Sequence, residues 1–528
     1  MVNEWMIAVA VAVGACHLSA AAEPVQLTSD RGDHTEAAVS PDGTRVAYQL
    51  RRDGDQDIHV LDLQTGRAAP LVEGPGRALY PNWSSDGRWI AYSFGDIERT
   101  ALEGIERGFN IHVVPAGGGE PRRLTDGLVR DYLPTFGPGD EHIYFSSTRG
   151  LSASAVGIQR VPLAGGEPET VAAVDARDSG MMQPDISPDG ELLAYSFVLG
   201  FRNTWGIRLA RIDDPGQHYP LTVSDLIAYG PRWSPDGAML ACTGFRVGDP
   251  GWGIYIIEVA TGHVARLDVG EGNSRSPDWL PDGSGLIFEN NRTGSYQLYR
   301  VDLPELDFRP QAPPAPEAPE PTLVLDLSLQ PEDGTVRDLS GRENHGEVIG
   351  ELQAADGALR FTGAGHVRIT EPSGLDFGTQ AFSVTGVLEV EEHTGELAII
   401  AVGAYRQSNA AWQLYLNDEG YLWFNSRDVT GQFVGARSNE PLPERRTVSV
   451  LGVRRGDGTV QLYIDGILQA LFRSGADLSY GEATRVCVGA AYDGGAAFEG
   501  LLHDLKVYVG VPADEASRMM TLQDFLDG

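Results

Sequence analysis

The chain has 528 residues, 40 of them Lys or Arg and 74 Asp or Glu, giving a formal net charge of −34 at pH 7. That length exceeds one ordinary domain, and a charge of that sign repels phosphate backbones and anionic lipid surfaces, which argues against a nucleic-acid partner. Only one basic residue is a lysine, Lys506, so Schiff-base or phosphate-loop chemistry would fall to that single amine.

At the N-terminus, Met6 to Ala15 is apolar but shorter than the ~20 residues of a membrane-spanning helix. The small residues Ser19 to Ala22 follow it. This pattern predicts an export signal over residues 1–22, cleaved near Ala22. Glu4 and the lack of any early Lys or Arg depart from the usual signal. A second reading uses Val13-Gly14-Ala15-Cys16, which resembles a lipobox with Cys16 as the lipidated residue. No other apolar run approaches membrane length, so the expected protein is exported (periplasmic, cell-surface or secreted) without a membrane span. The two later cysteines, Cys242 and Cys487, fall in different predicted domains and make no disulfide framework.

From residue 23 the chain repeats itself. Val39–Tyr48, Trp83–Tyr92, Phe136–Phe145, Ile186–Tyr195, Trp233–Cys242 and Trp279–Phe288 align, three of them on Ser-Pro-Asp-Gly and the others on close variants of it. The fourth positions, Asp42, Asp86, Gly139, Asp189, Asp236 and Asp282, are 44, 53, 50, 47 and 46 residues apart, the size of one four-stranded propeller blade. Pro fixes φ, Asp bonds back to the backbone and Gly takes positive φ, so each motif is a turn between an inner strand and the next. Repeat three, Gly137-Pro138-Gly139-Asp140, carries its turn shifted. Val25-Gln26-Leu27-Thr28 reads as the missing fourth strand of the last blade and would close the ring. These repeats resemble those of the periplasmic protein TolB and its relatives. The resemblance implies a six-bladed β-propeller over residues 23–306 and leaves function open, since such repeats serve binding proteins, lyases and peptidase accessory domains.

Residues 307–321 are Pro-rich and predict an extended, semi-rigid spacer. Beyond them come about ten short strands separated by Gly, Asp and Asn turns. Asp338-Leu339-Ser340-Gly341, Gln461-Leu462-Tyr463-Ile464-Asp465-Gly466 and Phe498 to Tyr508 resemble landmarks of the laminin-G-like (concanavalin-like) jelly roll. That resemblance implies a β-sandwich over residues 322–528 with a short helical tail, sugar or protein ligands, and in some members a structural calcium. The predicted fold class is therefore all-β: a six-bladed propeller and a jelly roll joined by a linker.

Four residues before each inner-strand landmark stand Thr35, Leu79, Tyr132, Met182, Tyr229 and Arg275, which should ring one mouth of the propeller channel. A calcium in the jelly roll would draw on Asp338, Asn344 and Asp504, although turn chemistry explains these residues without a metal. No nucleophile elbow and no His-Glu-x-x-His is present, and the histidines are scattered singly. The expected function is therefore a non-catalytic binding or scaffold protein whose partners are protein, glycan or both. The alternative is a polysaccharide-degrading enzyme, lyase or glycoside hydrolase, with the jelly roll as its carbohydrate-binding module.

Overall fold

A computed structural model describes residues 23–95, 108–127, 129–150, 156–172, 179–199, 204–216, 218–222, 226–246, 248–309, 321–355, 357–375, 377, 380–393, 395–403, 411–427, 433–456, 458–473, 485–491, 495–512 and 522–527. The expected export segment with Cys16, and residues 310–320 of the spacer, lie outside the described residues.

The structure is nearly all β. In the first half, four separate four-stranded antiparallel sheets form, together with one eight-stranded sheet. The larger sheet consists of two antiparallel units of four strands, Asp33–Val72 and Arg77–Arg123, joined only through the parallel pair Gln56–Arg77. The innermost strands, beginning at Asp33, Arg77, Asp131, Ser179, Leu226 and Ser274, touch one another in cyclic order, and the last meets the first. Val25–Gln26 pairs with Gln297–Asp302 and supplies the outer strand of the last unit, so the N-terminal strand closes the ring.

Each Ser-Pro-Asp-Gly turn is held by the same hydrogen bonds. Ser40 Oγ donates to Asp42 Oδ1 at 2.6 Å, and the Thr44 N–H reaches the same oxygen at 3.0 Å. Ser187/Asp189 and Ser234/Asp236 repeat the arrangement. Gly43, Gly190 and Gly237 take the left-handed φ that the turn requires (68°, 81° and 72°). The shifted turn of repeat three has another purpose. Asp140 reaches back to the preceding blade and accepts from Ser85 N–H at 2.7 Å, Ser85 Oγ–H at 2.8 Å and Asp86 N–H at 3.0 Å.

The sandwich core gathers Val324, Phe361, Phe382, Trp412, Phe424, Val488 and Val507 among many others. Phe377 stacks on Phe382 with centroids 4.3 Å apart, and Trp412 leans on the same ring. Strands appear where the sequence places them at Phe382–Val390 and Leu397–Val402. Gly346–Ala355, Phe433–Pro441 and Ile467–Arg473 are further strands that the sequence reading does not anticipate; polar or Gly-containing edges blur their period-two pattern.

The two halves are docked. Phe525 of the terminal helix Leu522–Asp527 is buried in a propeller cluster with Trp233 and Ile257, and Arg211 donates to the Phe525 and Leu526 carbonyls. Tyr421 of the sandwich joins Tyr144 and Tyr195 of the propeller. The start of the expected spacer is also attached: Arg309 and Val264 exchange backbone hydrogen bonds of 2.9 and 3.0 Å, and Phe308 packs on the neighbouring core. Among the described residues no helix is long and apolar enough to cross a membrane.

Asp140→Ala leaves three polar hydrogens of the neighbouring turn without their acceptor. It should lower unfolding free energy by about 1–3 kcal/mol, read as a fall in the urea midpoint at unchanged slope.

Candidate functional site at the seam of the ring

The innermost strands share one irregularity. Each is broken by a β-bulge just after the predicted mouth residue: between Thr35 and Ala38, Leu79 and Asn82, Tyr132 and Thr135, Met182 and Asp185, Tyr229 and Arg232, and Arg275 and Asp278. The bulged residues Glu36, Tyr80, Leu133, Gln183, Gly230 and Ser276 all have φ between 48° and 65°. In five of the six units a proline follows (Pro81, Pro134, Pro184, Pro231, Pro277). It has no N–H to give to the ladder, which fixes the bulge at that position. The bulged residues line the propeller axis, where the free space is only about 20 Å³, room for a water or two. The axis is closed at this level.

Opposite each predicted mouth residue stands its strand partner: Gln49, Ser93, Ser146, Ser196, Thr243 or Glu289. Four of these hydroxyls take up the bulge N–H of the next blade. Leu133 donates to Ser93 at 3.2 Å, Gln183 to Ser146 at 3.1 Å, Gly230 to Ser196 at 2.8 Å and Ser276 to Thr243 at 2.9 Å. A second set of links lies closer to the turn: Phe136 N–H donates to Asn82 at 2.9 Å, Trp233 N–H to Asp185 at 2.8 Å and Val39 N–H to Asp278 at 2.7 Å. Asp185 and Asp278 therefore hold one blade to the next. Burial pushes the Asp278 carboxyl up to about 6 against the pull of Arg232.

The seam between the last and first blades breaks the pattern with charge. Glu289 occupies the hydroxyl position, and its side chain is 0% exposed beside Arg275, with Nε to Oε2 at 3.2 Å. Glu36 is the charged member of the bulge ring, and Ser276 Oγ lies 3.4 Å from its Oε1. Burial raises the pKa of both glutamates. Each carboxyl is opposed by Arg275, and Glu289 is raised further by the charge of Glu36.

Beside this pair a cup of about 330 Å³ opens. Thr35, Glu36, Gln49 and Gln56 form part of its wall, with the rings of Tyr80 and Tyr296. Asp33, Arg51 and Arg275 complete it. Arg51 pairs with Asp33 at 2.6 Å, and the Arg275 guanidinium stacks 3.8 Å from the Tyr296 ring centre. Burial opposes ionisation of Asp33, yet Arg51 and the Tyr296 N–H together hold its pKa below the ordinary value.

Of the six predicted mouth residues, Thr35 and Arg275 thus line the cup and Tyr229 lines the closed axis. Leu79, Tyr132 and Met182 line neither; the Tyr132 hydroxyl donates instead to Met182 Sδ at 3.1 Å. Sequence reading missed Glu36 and Glu289. Both keep a fixed offset within the repeat, three residues before and ten after the inner landmark, so comparing those columns would have exposed the two carboxylates. His59 and His112 each pack on a tyrosine of the adjacent strand, Tyr48 or Tyr92.

In the sandwich, Asp338 accepts from the Asp326, Ser340 and Asn344 N–H groups and from Ser340 Oγ–H. Asn344 bridges Val324 O, Ser373 O and Ser373 N–H. Asp504 chelates Lys506 Nζ at 2.9 and 3.0 Å. Burial works against the Lys506 charge, but Asp504 and Asp326 more than restore it and raise the amine pKa. The cation among these acids is the chain's only lysine. Among the described residues no group of three His, Cys, Asp or Glu side chains is arranged to hold a metal.

The fold and its seam define a two-domain all-β protein, a propeller followed by a sandwich. The profile of the TolB beta propeller domain matches residues 173–311, and that of the Concanavalin A-like lectin/glucanases superfamily matches residues 361–515. The chain thus carries TolB-like propeller repeats followed by a laminin-G-like domain. An uncharacterized protein, Atu1656, of Agrobacterium fabrum is 32% identical over 173 residues, 32% of this chain and 53% of that protein. A TolB homolog of Chlorobium luteolum is 34% identical over 124 residues, 24% of this chain and 26% of that protein. The chain spans about half or less of the length of the curated relatives named here. The solved structure of a putative TolB from Agrobacterium tumefaciens aligns over 53% of this chain and 93% of its own, with 18% identity and a TM-score of 0.39.

Two tests follow from this geometry. A carboxyl whose pKa is raised on folding binds its proton more tightly in the native state, so its contribution to stability falls as pH rises above the ordinary carboxylate range of about 4.3. Glu289→Gln should therefore gain thermal stability over wild type at neutral and alkaline pH, the gain vanishing near pH 4; Tm measured across pH checks this. Asp338→Ala strips four donors of their acceptor and should cost about 2–4 kcal/mol, to the same extent in calcium and in EDTA, as denaturation in both buffers would show.

Proposed function

We propose that the protein is an exported, non-catalytic binding protein in which both domains recognise ligands, the sandwich a glycan or glycoprotein and the propeller a protein partner. The observation that carries this reading is the position of Glu289. It is sealed behind Arg275 with no exposed surface, so this carboxyl, raised by burial, has no path to a substrate. What faces solvent beside it is a polar cup suited to holding a ligand. The domain types support the same reading, since a laminin-G-like sandwich follows the propeller. Cys16 provides a lipid anchor in the variant form of this proposal.

A second reading, an enzyme of polysaccharide breakdown, draws on one feature of the cup. Its two carboxyls are pushed in opposite directions, Asp33 down and Glu36 up, and such a divergence is how acid and base roles are separated in catalytic pairs. The two readings part in a single set of assays: a glycan array, a pull-down from envelope and secreted fractions, and turnover on soluble polysaccharides followed by reducing ends and by unsaturated product. Captured ligand without turnover is the expected result. Turnover that disappears in Glu36→Gln, with array and pull-down both empty, would establish the enzyme instead.

A further inference from the structure

From the walls of the seam cup we infer that the propeller itself binds a neutral saccharide unit between its first and last blades. This site is separate from the docking of a protein partner and from any glycan on the sandwich.

Three features of the cup select that ligand. The first is charge. Asp33 is matched by Arg51 at 2.6 Å, and Arg275 is matched by Glu289 at 3.2 Å. Apart from Glu36, whose burial favours the neutral carboxyl, the charges are arranged in pairs, so an ionic ligand would have to break a pair in order to make one. A hydroxyl can donate to a carboxylate and accept from its guanidinium partner with the pair intact.

The second feature is the absence of hydrocarbon. None of the residues lining the cup has an aliphatic side chain of the Val, Leu or Ile type. An apolar peptide anchor, the usual centre of a protein contact, would find little to bury against. The apolar surface that does exist belongs to two tyrosines, Tyr80 and Tyr296; Arg275 covers one face of the Tyr296 ring, and the remaining ring surface is what the C–H side of a sugar ring can meet. Gln49 and Gln56 add amides, each with donors and an acceptor for hydroxyl groups.

The third feature is place. In the ring of bulges the uncharged residues Tyr80, Leu133, Gln183, Gly230 and Ser276 stand where the seam has Glu36. In the ring of strand partners Gln49, Ser93, Ser146, Ser196 and Thr243 stand where it has Glu289. The fold can be built without charge at either column. Both departures meet at one seam, and the cup of about 330 Å³ opens at that seam, a volume at the lower end of ordinary ligand sites.

The test is calorimetric titration of the full chain with three neutral disaccharides (cellobiose, maltose and lactose) and with digalacturonate as the charged comparison. Binding of a neutral disaccharide is expected, weakened roughly tenfold or more by Gln56→Ala and by Tyr296→Ala, and largely restored by Tyr296→Phe. Both positions are partly exposed, and circular dichroism would show that the variants fold. Three results would overturn the inference: no neutral disaccharide binds, binding persists unchanged in both variants and so lies on the sandwich, or only digalacturonate binds. A binding protein whose array and pull-down ligands survive in the cup variants would leave the preceding functional reading standing while this inference falls.

Discussion

A propeller has to bring six strands to one axis, and the backbone there cannot all be paired. Where the inner strands bulge, an N–H leaves its own ladder and points toward the preceding blade. A buried N–H without an acceptor costs about 1–3 kcal/mol, so six such groups would threaten a fold whose whole margin is about 5–15 kcal/mol. The described structure answers four of them with a Ser or Thr hydroxyl on the neighbouring second strand. The rest of the propeller follows from this. The bulges set which residues face the axis, the hydroxyls bind neighbouring blades, and the Asn82, Asp185 and Asp278 links tie adjacent inner strands together at every other seam nearer the turns.

The same constraint explains why chemistry concentrates at the seam. Glu289 stands where a hydroxyl would suffice, and a carboxyl in that position needs compensation. Arg275 provides it across the strand pair, and Arg275 in turn lies on Tyr296. Each compensation brings another polar group to the surface beside the axis, until the seam carries a cup. A purely structural ring has no need of this expense at one place out of six, which is why the asymmetry points to a ligand.

Much of this was legible in the residues, and the parts that were not have physical causes. The turns were legible because Pro, Asp and Gly each impose a conformation that the motif as a whole requires, and their spacing counted the units. Of the mouth residues, Thr35 and Arg275 line the cup and Tyr229 the axis, while the residue that faces the axis in every unit comes one position later. Thr35 and its counterparts precede the bulge, and a bulge reverses the alternation on which any inside–outside reading of a strand depends. The prolines at 81, 134, 184, 231 and 277 were the available sign of it. Glu289 sits in a run, Leu286-Ile287-Phe288-Glu289-Asn290, that reads as one more apolar strand ending in polar residues; only the register shows that its carboxyl faces Arg275. The docking of Phe525 against Trp233 pairs residues nearly three hundred positions apart, and nothing local in either segment encodes it.

The seam is also where the ring is least secured by covalent order, since its two faces come from opposite ends of the propeller segment. Val25–Gln26 spans it on the outer side by pairing with Tyr299 and Arg300, and His34 N–H spans it again by donating to Tyr296 O at 2.8 Å. The cup lies across the same junction, with Asp33, Gln49 and Arg51 from the first blade and Arg275 and Tyr296 from the last. A ligand seated there would touch both faces at once, so its binding energy would add to closure of the ring. Asp33, one of the charged groups that make the cup polar, also ties the junction by accepting from the Tyr296 N–H at 3.1 Å.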